Sequence, residues 1–223
     1  MKKLSFIVLL FAIFQLATAQ ETEISDKFIL GGSVNFSISN NANPAGVGFI
    51  LTPTNESKST FFGFAPYIGK EISPKLIVGL GIDFGMGRTT TKNASFFPSP
   101  GSGEVKRNSN QIGFGVFSRH VANPDNQLSF YLQPYIQYFI SNQKEFQNSN
   151  LTREAITNFL ELGSGLGLMY NINDQLRATL RSGGLSYING SWEVKDTDLG
   201  NDFSSFGLNL NLSNIFFGLE IRL

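Results

Sequence analysis

Leu128-Ser129-Phe130-Tyr131-Leu132-Gln133-Pro134-Tyr135-Ile136-Gln137-Tyr138-Phe139-Ile140-Ser141 is the stretch on which the reading of this chain turns. Its even positions are Leu, Phe, Leu, Pro, Ile, Tyr and Ile. Its odd positions are Ser, Tyr, Gln, Tyr, Gln, Phe and Ser. A period of two puts these sets on opposite faces of a β-strand, one greasy and the other polar or amphipathic.

Seven further segments repeat the pattern. Leu30, Val34, Phe36 and Ile38 alternate with Gly31, Ser33, Asn35 and Ser37. Phe62, Phe64 and Ile68 alternate with Gly63, Ala65, Tyr67 and Gly69, and Val78 to Met86 with Gly79 to Gly87. Ile112, Phe114 and Val116 face away from Gly113, Gly115 and Phe117, and Leu160 to Tyr170 away from Glu161 to Met169. Leu176, Ala178 and Leu180 alternate with Arg177, Thr179 and Arg181, and Ile215 to Leu223 with Phe216, Gly218, Glu220 and Arg222. Eight strands are predicted.

The second face decides the solvent. A soluble barrel or sandwich turns its apolar face inward and carries charge outside. Here the second face is mostly Gly, Ser, Asn and Gln, and charged residues make up 15% of the chain, against about 25% for an average soluble domain. Such a face suits a narrow barrel lumen, where little room remains, with the apolar face toward lipid. An open sheet edge in lipid would leave backbone groups unpaired, so the sheet must close. The expected fold is all-β, a closed antiparallel up-and-down transmembrane β-barrel of eight strands. A soluble secreted barrel is the alternative.

The connections alternate in length. Long segments at Asn40 to Ser59, Thr90 to Ser109, Asn142 to Thr157 and Asn189 to Ser204 read as loops. Short turns lie at Glu71 to Lys75, Ala122 to Asn126 and Asn173 to Gln175. Outer-membrane barrels place long loops outside the cell and short turns in the periplasm. One irregularity stands out. Phe206, Leu208, Leu210 and Leu212 are even, whereas Ile215 to Leu223 are odd. A β-bulge near Ser213-Asn214 would return both halves to one face; otherwise the last strand begins there.

The N-terminus argues for export. Lys2 and Lys3 precede an apolar run from Leu4 to Leu16, and Ala17-Thr18-Ala19 offers small residues for cleavage before Gln20. The run is shorter than the roughly 20 residues of a membrane-spanning helix. Residues 1–19 are therefore read as a cleaved signal peptide and 20–223 as the barrel domain. Later in the chain no stretch reaches 18 consecutive apolar residues. Cysteine is absent, which rules out disulfides and thiolate metal sites. Lys+Arg and Asp+Glu number 17 each, giving no electrostatic case for nucleic acid.

The segment Phe64-Ala65-Pro66-Tyr67-Ile68-Gly69-Lys70-Glu71-Ile72-Ser73-Pro74-Lys75-Leu76-Ile77-Val78-Gly79-Leu80-Gly81 resembles the second hairpin of small outer-membrane barrel proteins of Bacteroidetes-type bacteria, often grouped with the OmpX/OmpA-like barrels. The Ala-Thr-Ala-Gln signal end resembles that group too. The likeness covers the mature chain in architecture and this hairpin in local sequence. It implies fold and is nearly silent on function. Many such barrels end in Phe where this chain ends in Leu223, although Phe217, Leu219 and Ile221 keep the alternation read by the assembly machinery.

The inward phase carries Asp83, Arg119, Glu161, Arg177, Arg181, Glu220 and Arg222. Charges of both signs in a narrow lumen read as a structural network that plugs it, with a gated pore or proton path as the alternative. His120 is the sole histidine, and Ser118 shares its outward phase. Some small barrels that modify lipid A use a lipid-facing His, but His120 falls beside a periplasmic turn, away from the leaflet holding lipid A. An interfacial role is expected. Glu193, Asp196, Asp198, Gly200 and Asp202 could in principle gather Ca²⁺, yet the spacing is not that of an EF-hand, and a solvated acidic loop is the reading. Outward Phe62, Tyr138, Tyr170 and Phe217 read as lipid contacts. The Gly-x-Gly runs lie within strands, without the βαβ context of a dinucleotide site.

The function expected is non-enzymatic: a porin-like outer-membrane barrel whose outer loops serve surface interaction or envelope integrity. A small channel or transport component is the alternative, then a lipid-modifying enzyme. The expected partners are outer-membrane lipids and, during biogenesis, periplasmic chaperones and the barrel-assembly machinery; no cofactor is expected. Intact mass of the protein recovered from membranes should correspond to a chain starting at Gln20; a retained Met1–Ala19 segment would overturn the export reading.

Overall fold

The computed structural model describes residues 27–44, 54–93, 104–147, 150–208 and 215–223. Residues 1–19, expected as the signal peptide, lie outside them. Ten strands are present among the described residues: β1 (Phe28–Pro44), β2 (Thr54–Ser73), β3 (Leu76–Asn93), β4 (Glu104–Ala122), β5 (Leu128–Gln147), β6 (Asn150–Asn171), β7 (Leu176–Ser182), β8 (Leu185–Val194), β9 (Gly200–Leu208) and β10 (Phe216–Arg222). All neighbouring pairs are antiparallel. Eight of the strands form a ring of pairings: β1 joins β2, then β3, β4, β5, β6, β7 and β10, and β10 returns to β1 through Ile29↔Arg222 to Val34↔Phe217. The remaining two extend it upward, β8 pairing with β6 and β9 with β8.

Eight expected strands become ten segments because two of them break. Against β6, residue numbers sum to 348 along β7 (Leu166↔Ser182) and to 349 along β8 (Gly163↔Ser186). One extra residue has entered at Gly183-Gly184, as in a β-bulge. Even residues of β7 therefore share the outward face with odd residues of β8 such as Leu185, which is exposed. A Cβ on Gly184 would sit 2.0 Å from the Ser164 carbonyl oxygen, so the backbones meet too closely there for another residue. The slip expected at Ser213-Asn214 falls within 209–214, outside the described residues. On either side, however, outward parity has changed: Phe206 and Leu208 are exposed in β9, and Phe217, Leu219 and Ile221 in β10. The two flips match. Leu180 opposes Phe217 below them and Leu185 opposes Leu208 above, so outward residues stay paired with outward residues.

The structure corrects the long loops. Strands run through much of Asn40–Ser59, Thr90–Ser109, Asn142–Thr157 and Asn189–Ser204, since β1 reaches Pro44, β2 starts at Thr54, β3 reaches Asn93 and β4 starts at Glu104. Only residues 148 and 149 separate β5 from β6, and 195–199 separate β8 from β9. Polar composition suggested loops, but Ser, Thr, Asn and Gln pair readily when a ladder is already in place, as Ser57 with Thr91 and Ser59 with Thr89 do. At the other end the turns are tight. Asn173 Oδ1 accepts from the amides of Gln175 and Leu176 at 2.9 and 2.7 Å, an Asx-type turn. Asn123 takes a positive φ of 53° beside Pro124, a conformation Asn tolerates.

The outer wall carries an apolar band. Its exposed side chains run from Phe28 to Ile38 on β1, from Leu128 to Ile140 on β5, and through Leu80 to Met86 and Ile112 to Val116 on β3 and β4. The interior is packed with Ile29, Ile77, Val121, Tyr131 and Met169, with Tyr67 and Phe117 against them. Gly184→Val should lower the urea midpoint of unfolding by an amount corresponding to about 1–3 kcal/mol. Gly207→Ala, where a Cβ meets nothing within 4 Å, should leave it unchanged.

Candidate functional site

Glycine on one strand and a large side chain on its neighbour fill the interior in turn. A Cβ on Gly167 would lie 2.1 Å from the Tyr131 ring, and one on Gly113 2.4 Å from Phe139. The rings thus occupy the space the glycines leave. Four levels follow from the bottom turns upward.

At the lowest level, Glu71 Oε2 meets Arg222 Nη2 at 3.0 Å and Arg177 Nη1 at 3.5 Å. Arg177 Nε also donates to Asn171 Oδ1 at 3.0 Å. Above the apolar cluster, Arg119 Nη1 and the Tyr67 hydroxyl both donate to Glu220 Oε1. Arg119 Nε donates to Gln133 Oε1 at 3.0 Å, and its guanidinium lies 4.6 Å from the Tyr131 ring centre. The side chains of Arg119 and Glu220 are 3% and 0% exposed, so neither charge can be met by bulk water. The pairing is what makes their burial tolerable.

The third level is polar but has no close ion pair among the described residues. Gln137 Nε2 donates to Asp83 Oδ2 at 2.5 Å, and Tyr135 donates to Glu161 Oε1 at 2.8 Å. Arg181 stacks its guanidinium 4.8 Å from the Phe216 ring. A cavity of about 30 Å³ lies among Asp83, Tyr135, Gln137, Arg181 and Phe216, which is room for a water or two. At the top, Phe139 and Phe159 stack at 4.9 Å, and above them an open vestibule of about 190 Å³ is lined by Arg107, Glu145, Arg153 and Trp192. Arg107 Nε contacts Glu145 Oε2 at 2.6 Å, and Arg153 lies 5.5 Å from the Trp192 ring.

The seven inward charges named from the sequence thus divide between levels. Arg177 and Arg222 meet at the bottom, Arg119 and Glu220 in the middle, and Asp83, Glu161 and Arg181 stand higher. The sequence reading missed Glu71, the shared partner of the bottom arginines, by assigning it to a turn. Strand β2 continues to Ser73, and the odd phase of Tyr67 and Gly69 continued two residues further would have found it. It also missed Trp192, which the even phase of β7 would place outside and the bulge turns inside.

His120 and Ser118 lie close together, Nε2 to Oγ 3.4 Å. His120 borders an outward depression of about 480 Å³ walled by Phe130, Leu132, Leu166, Leu168 and Leu180. Both residues sit at the end of β4 next to the short turn. The acidic set is spread out. Glu193 and Asp202 are on β8 and β9, and Asp196 and Asp198 are in the turn between them, Asp196 with φ 60°. Among the described residues no three His, Asp or Glu gather as metal ligands. Outside the wall at the top, Glu154 accepts from Asn142 and lies near Lys144 and Lys195; that hydrogen bond, then the two ammonium groups, holds its carboxyl below the usual range.

No protein-family model matches the chain, and neither does any curated protein. Several solved structures are similar in outline. The outer-membrane protein OprG of Pseudomonas aeruginosa is 11% identical with a TM-score of 0.47, the similarity covering 90% of this chain and 97% of that one. For a major outer-membrane protein of Thermus thermophilus the values are 12%, 0.42, 89% and 100%. For Neisserial surface protein A they are 10%, 0.38, 91% and 100%. Likeness at these scores decides nothing by itself; the fold is defined by the pairing ring and its two faces.

Glu220→Gln leaves the Arg119 charge buried without its counter-charge and should cost about 3–5 kcal/mol of stability. Arg119→Met/Glu220→Gln should cost less than Glu220→Gln alone, measured by urea unfolding in detergent. Equal losses would show that the charge pairing is not what holds the pair.

Proposed function

We propose that this chain is an integral barrel of the bacterial outer membrane that does not conduct. Its upper part stands above the membrane as a rigid surface for contact or envelope integrity. The carrying observation is the pairing ring with an apolar exterior and an interior filled by its own side chains. The outward apolar stretch covers residues 28 to 38 on β1 and 128 to 140 on β5, 11 and 13 residues. A tilted strand needs about 9–11 to cross the hydrocarbon. β6 has 22 residues, so roughly half its length is left over, and at about 45° of tilt this raises the upper hairpins some 20–25 Å above the band.

This reading includes cleavage after Ala19, which delivers the mature chain to the periplasm. There, chaperones and the barrel-assembly machinery would be its partners, and lipid thereafter. The short turns then face the periplasm. Function falls to the extended upper hairpins because their inward and outward residues are polar and accessible, while the middle is occupied by the Arg119–Glu220 pair and the rings around it.

In planar bilayers, the purified protein should give no stable conductance steps. Reproducible single-channel steps from protein whose folded state is verified by heat-modifiable gel migration would favour the channel reading instead.

A further inference from the structure

Lysine and arginine are not scattered around the outer wall. In one row of the sheet, Thr60 opposes Arg88, Arg88 opposes Asn108, and Asn108 opposes Lys144. In the next row up, Asn40 opposes Lys58, Lys58 opposes Thr90, and Thr90 opposes Lys106. All are outward by parity. The four cations therefore zigzag across four adjacent strands, β2 to β5. Lys58 is diagonal to Arg88, Arg88 to Lys106, and Lys106 to Lys144. Diagonal Cα atoms lie about 7–8 Å apart, within a Debye length at physiological salt. No carboxylate occupies either row on these strands.

Their height is also fixed. The last outward apolar residues below them are Phe62, Met86, Ile112 and Ile140. Arg88 is one outward position higher, Lys58 and Lys144 two, and Lys106 three. At about 3.4 Å per residue and 45° of tilt, that is roughly 5–15 Å above the apolar edge, in the headgroup layer and just beyond it. Lys106 and Lys144 approach Glu104 and Glu154 at 3.3 and 3.7 Å. Lys58 and Arg88 are exposed and have no carboxylate partner among the described residues. Beyond β5 the outward charges are mixed: Glu154 on β6 lies between Lys144 and Lys195, and Glu193 and Asp202 follow on β8 and β9. In the row above the four cations, Glu56 and Glu104 flank Lys92, so the upper β2–β5 wall carries five outward cations and two carboxylates, a net excess of positive charge.

Glu104 and Glu154 offset part of this charge, but like charges this close to Lys58 and Arg88 still repel one another unless a further anion sits among them. At this depth the anions are lipid phosphates. We propose that the β2–β5 wall, through Lys58, Arg88, Lys106 and Lys144, binds the phosphorylated headgroup of an outer-leaflet glycolipid. The amide and hydroxyl groups of Asn40, Thr60, Thr90 and Asn108 between the cations are placed to bond its sugar and phosphate oxygens. The inference rests on the outer-membrane orientation proposed above.

The test uses the full mature protein, folded in neutral detergent and titrated with diphosphorylated lipid A, dephosphorylated lipid A, phosphatidylglycerol or inorganic phosphate, with bound lipid counted by native mass spectrometry. Diphosphorylated lipid A should bind most tightly. K58Q/R88Q/K106Q/K144Q should weaken it by at least about tenfold, given roughly fivefold per basic residue at a charged membrane surface. R153Q/K195Q, which removes two cations elsewhere at the same end, should not. Equal binding of the phosphorylated and dephosphorylated lipids, wild-type binding by the quadruple variant, or full competition by millimolar inorganic phosphate would each overturn the proposal. Heat-modifiable migration of every variant separates lost binding from lost folding. Failure to insert into lipid vesicles would overturn the outer-membrane reading itself, independently of phosphate discrimination.

Discussion

One ion pair crosses the width of the ring. Arg119 is on β4 and Glu220 on β10, which stand four places apart in a ring of eight and so face each other across the interior. The pair is short enough to hold opposite walls together only because an eight-stranded ring leaves so little space between them. Tyr67 from β2 also donates to Glu220, and Gln133 from β5 accepts from Arg119. The glycines at this height are part of the same arrangement, since Gly167 and Gly31 leave room for the rings of Tyr131 and Tyr67. At this height the interior is filled by side chains from opposite walls.

The bottom and top of the ring use charge differently. Below, Glu71 serves two arginines from β7 and β10 and ties the closing strands to β2. Above the Phe139–Phe159 stack, Arg107, Glu145 and Arg153 are partly in water, where an ion pair contributes about 0–1 kcal/mol. These upper groups add little stability and are free to meet something else. The outer wall shows the same division by depth: an apolar band, then polar and charged side chains above it. Depth along the strand orders the whole molecule.

Much of this was legible in the residues. Strict alternation from Leu128 to Ser141 pointed to the strand, and the Gly, Ser, Asn and Gln on the second faces of the segments pointed to a narrow interior. The outward and inward assignments of Leu30, Phe64, Leu80, Phe114 and Leu166 agree with their exposure. The parity change in the last strand was visible as well. What was not legible was its counterpart at Gly183-Gly184. A single inserted residue between two short polar segments leaves no signature until a neighbouring strand supplies the count. Strand ends were misplaced for a related reason: Asn142 to Thr157 reads as loop by composition, yet those residues pair because the ladder below them fixes the register.

The sequence by itself determined which face each strand residue takes, because a period of two allows only two sides and the apolar set must share one of them. It determined the alternation of the lower turns through Asn, Asp and Pro, and the set of charges that had to be placed inside. Only the tertiary structure decided which charges meet. Arg119 and Glu220 are 101 residues apart, and Arg177 and Glu71 are 106; their meeting depends on strand order around the ring and on the stagger between neighbours. Those are properties of eight ladders closing together, and no single segment carries them.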